Sequence, residues 1–281
     1  MKSLAVIITT YNRPDALTSV LNGYLAQKDK NFEIIVADDG STSETTQLVA
    51  TFQTLADFKI THVWHEDQGF RAAAIRNRAL AATSAEYIVF SDGDCIPLPN
   101  FVAQHRCLAE SGWFLAGSRI LINESLTRDI LNSNIPVHNW TTRNWITAAM
   151  NQQINRFVTL LQLPVATPLR KMTPQRWKGV MTCNFSAWRK DLLRINGFDE
   201  SYSGWGLEDS DLVIRLLRSG VYHKSARFAA PVLHLWHIEN DRSGLAENKI
   251  RLQELLNSER ITAERGVRQY YTNNFVYQVS F

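Results

Sequence analysis

Leu4-Ala-Val-Ile-Ile8, running directly into Thr9-Thr-Tyr-Asn-Arg-Pro14, decides the fold. Five consecutive apolar residues describe a strand covered on both faces, because a half-exposed strand would alternate. Pro14 stands where a helix begins. Leu17, Val20, Leu21, Tyr24 and Leu25 then recur at spacings of three and four, one face of an amphipathic helix. The same unit repeats. Residues 32–37 read as a strand, and Ser41 with Glu44 reads as a capping box opening a helix with Leu48, Val49, Phe52 and Leu55 as its buried stripe. Residues 59–63 form a third strand, 70–82 an alanine-rich helix and 87–90 a fourth strand. Repeated strand–helix units predict an α/β fold: a mostly parallel central sheet with helices on both faces, and ligands beyond the carboxyl ends of the strands.

Outward from this core the rhythm changes. It is clear over residues 1–118, loosens over 119–176, where Pro136, Pro164, Pro168 and Pro174 interrupt it, and resumes over 177–281. In the middle segment the best helix is 146–161. Later, 180–187 and 228–235 read as strands, 210–219 and 246–264 as helices. The three segments are expected to form one continuous domain. The tail from Gln269 to Tyr277 is rich in aromatics, which suits either packing on the sheet or an oligomer contact.

The chain has 281 residues, 45% hydrophobic and 20% charged. That is enough apolar surface to offset chain entropy, so disorder is excluded as the main state. Three cysteines (Cys95, Cys107, Cys183) without a CxxC pair exclude a disulfide scaffold and argue against a structural zinc cluster. A net charge of +3 is too small to indicate a nucleic-acid partner. No stretch approaches the roughly 20 apolar residues of a membrane span, and the apolar run at the N-terminus is too short for a signal peptide. The expected location is the cytoplasm, with room for peripheral contact at the cytoplasmic face of the inner membrane.

Four constellations carry chemistry. Asp38-Asp39-Gly40-Ser41 follows a strand, where carboxylates can accept hydrogen bonds from a base or ribose; the alternative is a turn with a helix cap. Ser91-Asp92-Gly93-Asp94 follows another, where paired carboxylates can hold a hard divalent ion or merely form a surface turn. Gly204-Trp205-Gly206-Leu-Glu208-Asp209-Ser-Asp211 opens a helix. Its acids suit the helix dipole, but a glycine-bracketed tryptophan beside carboxylates also suits a sugar ring, and a carboxylate there can take a proton from a hydroxyl. His234-Leu-Trp-His237 ends a strand; with Asp94 it would complete a mixed carboxylate and imidazole site suited to manganese. More weakly, Arg71 and Arg76 at a helix start suit phosphate, Arg71 more than Arg76 because it lies nearer the N-terminus.

Taken together, Thr9-Thr-Tyr-Asn-Arg-Pro14, Asp38-Asp-Gly-Ser41 and Asp92-Gly-Asp94 resemble the nucleotide-sugar half of family 2 inverting glycosyltransferases with a GT-A fold. Cys183-Asn-Phe-Ser through Gly-Trp-Gly-Leu-Glu-Asp-Ser-Asp211 resembles the acceptor half shared by β-1,4-galactosyltransferases and bacterial chondroitin-type polymerases. The resemblance implies a UDP-sugar donor, an oligosaccharide or lipid-linked glycan acceptor, and Mn2+ or Mg2+ as cofactor, in bacterial polysaccharide or lipopolysaccharide synthesis. It implies that Thr9 and Tyr11 contact the nucleotide, Asp39 the uracil, Arg71 the uracil or phosphates and Asp92 the ribose. Asp94 and His237 would bind metal, joined by His234, which stands where the galactosyltransferases have methionine. Trp205 would contact sugars, Glu208 the donor or acceptor hydroxyls, and Asp209 would be the catalytic base.

Rival readings fare worse. Thr9-Thr-Tyr-Asn12 lacks the glycine of a pyrophosphorylase loop, and GxGxxG is absent after the first strand, which removes a dinucleotide oxidoreductase. An inactive carbohydrate-binding or scaffold protein on the same fold is the remaining alternative. The basic cluster Arg170-Lys171 with Arg176-Trp177-Lys178 is read as a contact for an anionic glycan, lipid-linked acceptor or membrane surface, against a plain solvated face.

Overall fold

The computed structural model describes residues 2–238 and 241–272. Its first half alternates as the apolar runs require: β1 (Leu4–Thr10), α1 (Pro14–Leu25), β2 (Glu33–Asp38), α2 (Ser43–Leu55), β3 (Ile60–Trp64), α3 (Ala72–Ala81) and β4 (Tyr87–Asp92). A short β5 (Cys95–Pro97), α4 (Phe101–Leu108), β6 (Trp113–Ala116), β7 (Arg119–Leu121) and α5 (Glu124–Ser133) follow. The middle segment holds α6 (Thr142–Met150), a 3-10 turn Phe157–Leu161 and α7 (Thr167–Arg170). The remainder is β8 (Asn184–Trp188), α8 (Arg189–Arg194), α9 (Glu208–Arg218), β9 (Tyr222–Ser225), β10 (Val232–His234), α10 (Leu245–Leu256) and α11 (Gln269–Thr272).

The main sheet has the order β3-β2-β1-β4-β8-β6-β9. β8 alone runs against its neighbours, pairing antiparallel with both β4 and β6. Sequential strands leave β1 in one direction (β2, β3) and return on its other side as β4. The crevice between the ends of β1 and β4 is therefore the topological switch point where such sheets bind ligands. The side chains of β1 divide as a doubly covered strand demands. Leu4, Val6 and Ile8 pack with α1, α2 and the β5 region, while Ala5 and Ile7 pack with α3, α8 and α9. Burying one such Ile or Val contributes roughly 1.5–3 kcal/mol. A second sheet, β5-β10-β7, pairs His234 with Cys95 and so delivers the end of β10 beside Asp94.

Several local expectations are corrected. Ser41 and Glu44 form no capping box: α2 starts at Ser43 without a side-chain cap, because Ser41 Oγ instead accepts from the Asn12 backbone N–H at 2.8 Å. The expected 146–161 helix stops at Met150, where Gln152 and Arg156 adopt left-handed backbone angles so that Ile154 can bridge to Ile122. The 246–264 helix ends at Leu256, and the strand expected from residue 180 begins at Asn184, because Thr182 is held by Asp209 instead. Residues 273–277 of the aromatic tail lie outside the described residues; Tyr270, before them, is buried and donates to Glu200 at 3.0 Å. Among the described residues no helix is long and apolar enough to cross a membrane.

Candidate active site

Three groups of side chains gather at the carboxyl ends of the strands. The first is centred on Arg76, in the first half of α3. The residue is 5% exposed. Nε donates to Thr9 Oγ1 at 3.0 Å, Nη1 to Glu208 Oε1 at 3.0 Å and Nη2 to Asp92 Oδ1 at 3.3 Å. Asp209 Oδ1 lies 3.5 Å from Nη1. Burial alone would disfavour the charge, but the carboxylates of Asp209, Asp92 and Glu208 outweigh it and hold the guanidinium firmly protonated. The acids pay for this crowding: burial, then the neighbouring Asp209, pushes Glu208 up to about 7. Burial likewise lifts Asp92 to about 6, with Asp94 and Asp209 adding to the shift and Arg76 opposing it.

Asp209 is fixed from the other side. The Thr182 backbone N–H donates to Oδ2 at 3.0 Å and the Thr182 hydroxyl to Oδ1 at 2.6 Å. Its side chain keeps 20% of its surface open. It is thus a held, ionisable, reachable carboxylate, the geometry a general base requires.

The second group is Asp94, His234 and His237. Asp94 Oδ2 is 3.7 Å from His234 Nε2 and 3.4 Å from His237 Nε2, and the imidazole centroids are 5.2 Å apart. His237 Nδ1 lies 2.8 Å from the Ile238 carbonyl. A carbonyl only accepts, so Nδ1 carries a proton and Nε2, in the neutral ring, turns a lone pair toward the carboxylate. Burial pushes the His234 pKa down, which also favours a neutral ring. One carboxylate and two imidazoles whose ligand atoms lie within 4.8 Å of one another make a donor set that fits a divalent ion. Gly93 makes the turn between Asp92 and Asp94 possible: a Cβ there would come within 2.9 Å of Thr10 Oγ1 and 3.2 Å of the Thr9 carbonyl oxygen.

The third group lines the ends of β1, β2 and β3. Asp39 Oδ1 is 2.6 Å from His65 Nε2, and its Oδ2 accepts from the Arg71 backbone N–H at 2.8 Å. The Arg71 guanidinium rests on the Glu66 carbonyl. Exposed Tyr11 donates to Asp67 at 2.9 Å. Gly40, at φ +99°, permits this loop to close, since a Cβ would meet the Asp67 backbone at 2.5 Å. Trp205 stands on a separate loop, joined to the start of α3 by the Gly204 N–H to Phe70 carbonyl bond, and its ring is faced by the Arg242 guanidinium at 4.8 Å.

Thus Thr9, Asp92, Glu208 and Asp209 converge on one cation, Asp94 joins both histidines, and Asp39, Tyr11 and Arg71 lie at the far end of the crevice. The sequence alone puts Arg76 below Arg71 and does not single out Thr182, His62 or His65. His62, inside β3, pairs with Asp38 at 2.9 Å, as the parallel pairing of β2 with β3 allows; His65 lies just past the end of β3, whereas Thr182 carries no sequence signal. Cys95 and Cys183, far apart in the chain, do meet beside Asp92, but burial pushes the Cys95 thiol well up, away from the thiolate a metal needs. The basic cluster is corrected in its first two residues, while Arg176 and Lys178 are exposed as expected. Arg170 is buried on the carbonyls of Ser225 and Arg227 at 3.0 and 2.9 Å, and Lys171 pairs with Glu110 at 2.5 Å, so neither presents a free cation.

Residues 5–193 match the family model described as glycosyl transferase family 2, and residues 167–238 match one described as the N-terminal domain of galactosyltransferase. Chondroitin synthase of Escherichia coli is 30% identical over 242 residues, which is 80% of this chain and 34% of that protein. The chain spans between a third and about half of the length of three curated relatives that it matches. Among solved structures, S. aureus TarS 1-349 in complex with UDP superposes with a TM-score of 0.61 at 17% identity, over 96% of this chain and 68% of that one. A mannosyltransferase from Pyrobaculum calidifontis, in complex with GDP-Man and Mn2+, gives 0.57 at 18% identity, over 91% of this chain and 62% of its own. At these identities the structural likeness establishes the fold, GT-A.

Proposed function

The chain belongs to glycosyl transferase family 2, and from that premise we propose that it moves a hexose or N-acetylhexosamine from a UDP-sugar to a glycan hydroxyl with inversion. The observation that carries the reading is the meeting of Asp209 with the Arg76 cluster at the switch point of the sheet. The nucleoside base would lie against Asp39, Tyr11 and Arg71, the ribose near Asp92 and Thr9, and the transferred and accepting sugars near Glu208 and Trp205. Asp94, His234 and His237 would hold Mn2+ or Mg2+, with two imidazoles favouring manganese. When bound, such an ion supplies positive charge beside a diphosphate.

Asp209 accepts the proton of the acceptor hydroxyl while that oxygen bonds to the anomeric carbon. The bond from that carbon to the diphosphate oxygen breaks, and its electron pair leaves with UDP. One displacement turns an α-linked donor into a β-glycoside, with no covalent carboxylate intermediate. Thr182 keeps both Asp209 oxygens oriented, and Arg76 keeps three neighbouring carboxylates at working distance. Glu208, lifted to about 7, exchanges hydrogen bonds with sugar hydroxyls in either protonation state. The proposed acceptor is an oligosaccharide or lipid-linked glycan. The proposed setting is bacterial polysaccharide or lipopolysaccharide synthesis, in the cytoplasm with peripheral membrane contact.

The reading is tested by incubating the protein with a panel of UDP-sugars, Mn2+ and candidate glycan acceptors. Release of UDP that an acceptor accelerates, with a β-anomeric proton coupling in the product, supports it. Metal-dependent nucleotide binding without turnover of any donor, including its hydrolysis, favours the inactive carbohydrate-binding alternative.

A further inference from the structure

All 27 acidic residues of the chain fall outside residues 130–190, a stretch that carries eight Arg or Lys. Within it, α6 has two distinct faces. Trp145 and Ala148 enter the core. On the opposite side Arg143, Ile146, Thr147 and Met150 follow at helical spacing, with Ile146 44% and Met150 78% exposed. The 3-10 turn Phe157–Leu161 packs against α6 and adds Val158 and Leu161, 53% and 41% exposed. Arg143 and Arg156 are exposed and make no ion pair among the described residues. Arg170 and Lys171, by contrast, are already engaged.

We propose that this α6 and 3-10 face docks on an anionic lipid surface. Ile146, Met150, Val158 and Leu161 enter the boundary between headgroups and acyl chains, and Arg143 and Arg156 meet the lipid phosphates. The proposal deepens the membrane contact suggested above and rests on the glycosyltransferase reading only for its setting. The occupant follows from the chemistry of the face. A polyanionic glycan would be held by hydrogen bonds that Met150, Val158 and Leu161 cannot make; these side chains gain only by leaving water. A two-fold contact with a second copy would bring unpaired arginines of both copies together with no acid to offset them.

The test is sedimentation of the full chain with vesicles of phosphatidylcholine alone, or of phosphatidylcholine and phosphatidylglycerol in equal parts. Wild type should pellet with the mixed vesicles and much less with neutral ones. Arg143→Gln with Arg156→Gln should weaken binding about fivefold per cation. Met150→Ser with Val158→Ser should weaken it at least as much at unchanged vesicle charge. UDP binding, measured alongside, should be unaltered in both variants. Wild type that stays in the supernatant, or variants that pellet like wild type, would overturn the proposal. So would retention by a soluble polyanion such as chondroitin without vesicle binding, or a dimer that Met150→Ser dissolves. Loss of UDP binding in wild type would instead strike the glycosyltransferase reading and leave the vesicle result standing.

Discussion

Arg76 Nη1 lies 3.0 Å from Glu208 Oε1, an ion pair between residues 132 positions apart that ties α3 to the first residue of α9. Through this pair the N-terminal and C-terminal halves share one buried charge network, and its perturbation should be felt in both. Arg76→Ala leaves Asp92, Glu208 and Asp209 crowded without their cation. Removing one partner of such a buried set costs about 3–5 kcal/mol, so the urea midpoint should fall sharply. Arg76→Lys, with one point charge and no fork, should fold yet lose most transferase activity.

Asp209→Asn keeps an acceptor for Thr182 but cannot take a proton. Turnover should fall by about 10²–10⁴, while UDP affinity measured by calorimetry stays near wild type. Thr182→Val, which loses the hydroxyl bond but keeps the backbone one, should reduce kcat with little change in donor KM. Wild-type turnover in Asp209→Asn would remove this residue as the base.

Glu208 gives stability a pH dependence with a definite sign. Burial raises its folded-state pKa to about 7, above the ordinary glutamate value of about 4.3. Between these values the folded protein binds more protons than the unfolded chain. Its contribution is therefore full below about pH 4.3 and is lost as pH rises through about 7. Denaturation at pH 5 and pH 8 should show a fall in stability for wild type and a flatter response for Glu208→Gln.

His237→Ala should weaken Mn2+ binding about tenfold or more, by calorimetry or manganese spin resonance, because it removes a lone pair from a three-donor set. His234→Met should retain some binding and shift preference toward softer ions. If both variants bind Mn2+ like wild type, the metal lies elsewhere.

Gly93→Ala probes the turn between the two aspartates. Its Cβ would press on the Thr10 side chain, at 2.9 Å from Oγ1 and 3.0 Å from Cβ, and on the Thr9 carbonyl oxygen at 3.2 Å, in a strand that has little room to shift. The substitution should cost about 1–3 kcal/mol and weaken Mn2+ binding by displacing Asp94.

The doubly covered strands were legible because their burial is written in consecutive apolar residues, as at Leu4 to Ile8 and Tyr87 to Phe90. The carboxylates at strand ends were legible because the topology puts those ends on one crevice. Arg76 was not, since an arginine on an alanine-rich helix looks solvated until acids 16 to 133 positions away close around it. Arg170 failed in the opposite sense: it looks like part of a surface patch, but backbone carbonyls with no sequence signature bury it. Ser41 shows a local motif losing to a tertiary partner, the Asn12 backbone.

The central claim is a metal-assisted nucleotide-sugar site, and the most direct measurement is calorimetric titration of UDP, GDP, CMP and dTDP, with and without Mn2+, into wild type and Asp94→Ala. The account predicts that UDP binds preferentially, that binding requires manganese, and that Asp94→Ala abolishes the dependence. Preference for another nucleotide would contradict the UDP assignment, and absence of any metal-dependent nucleotide binding would contradict the site itself.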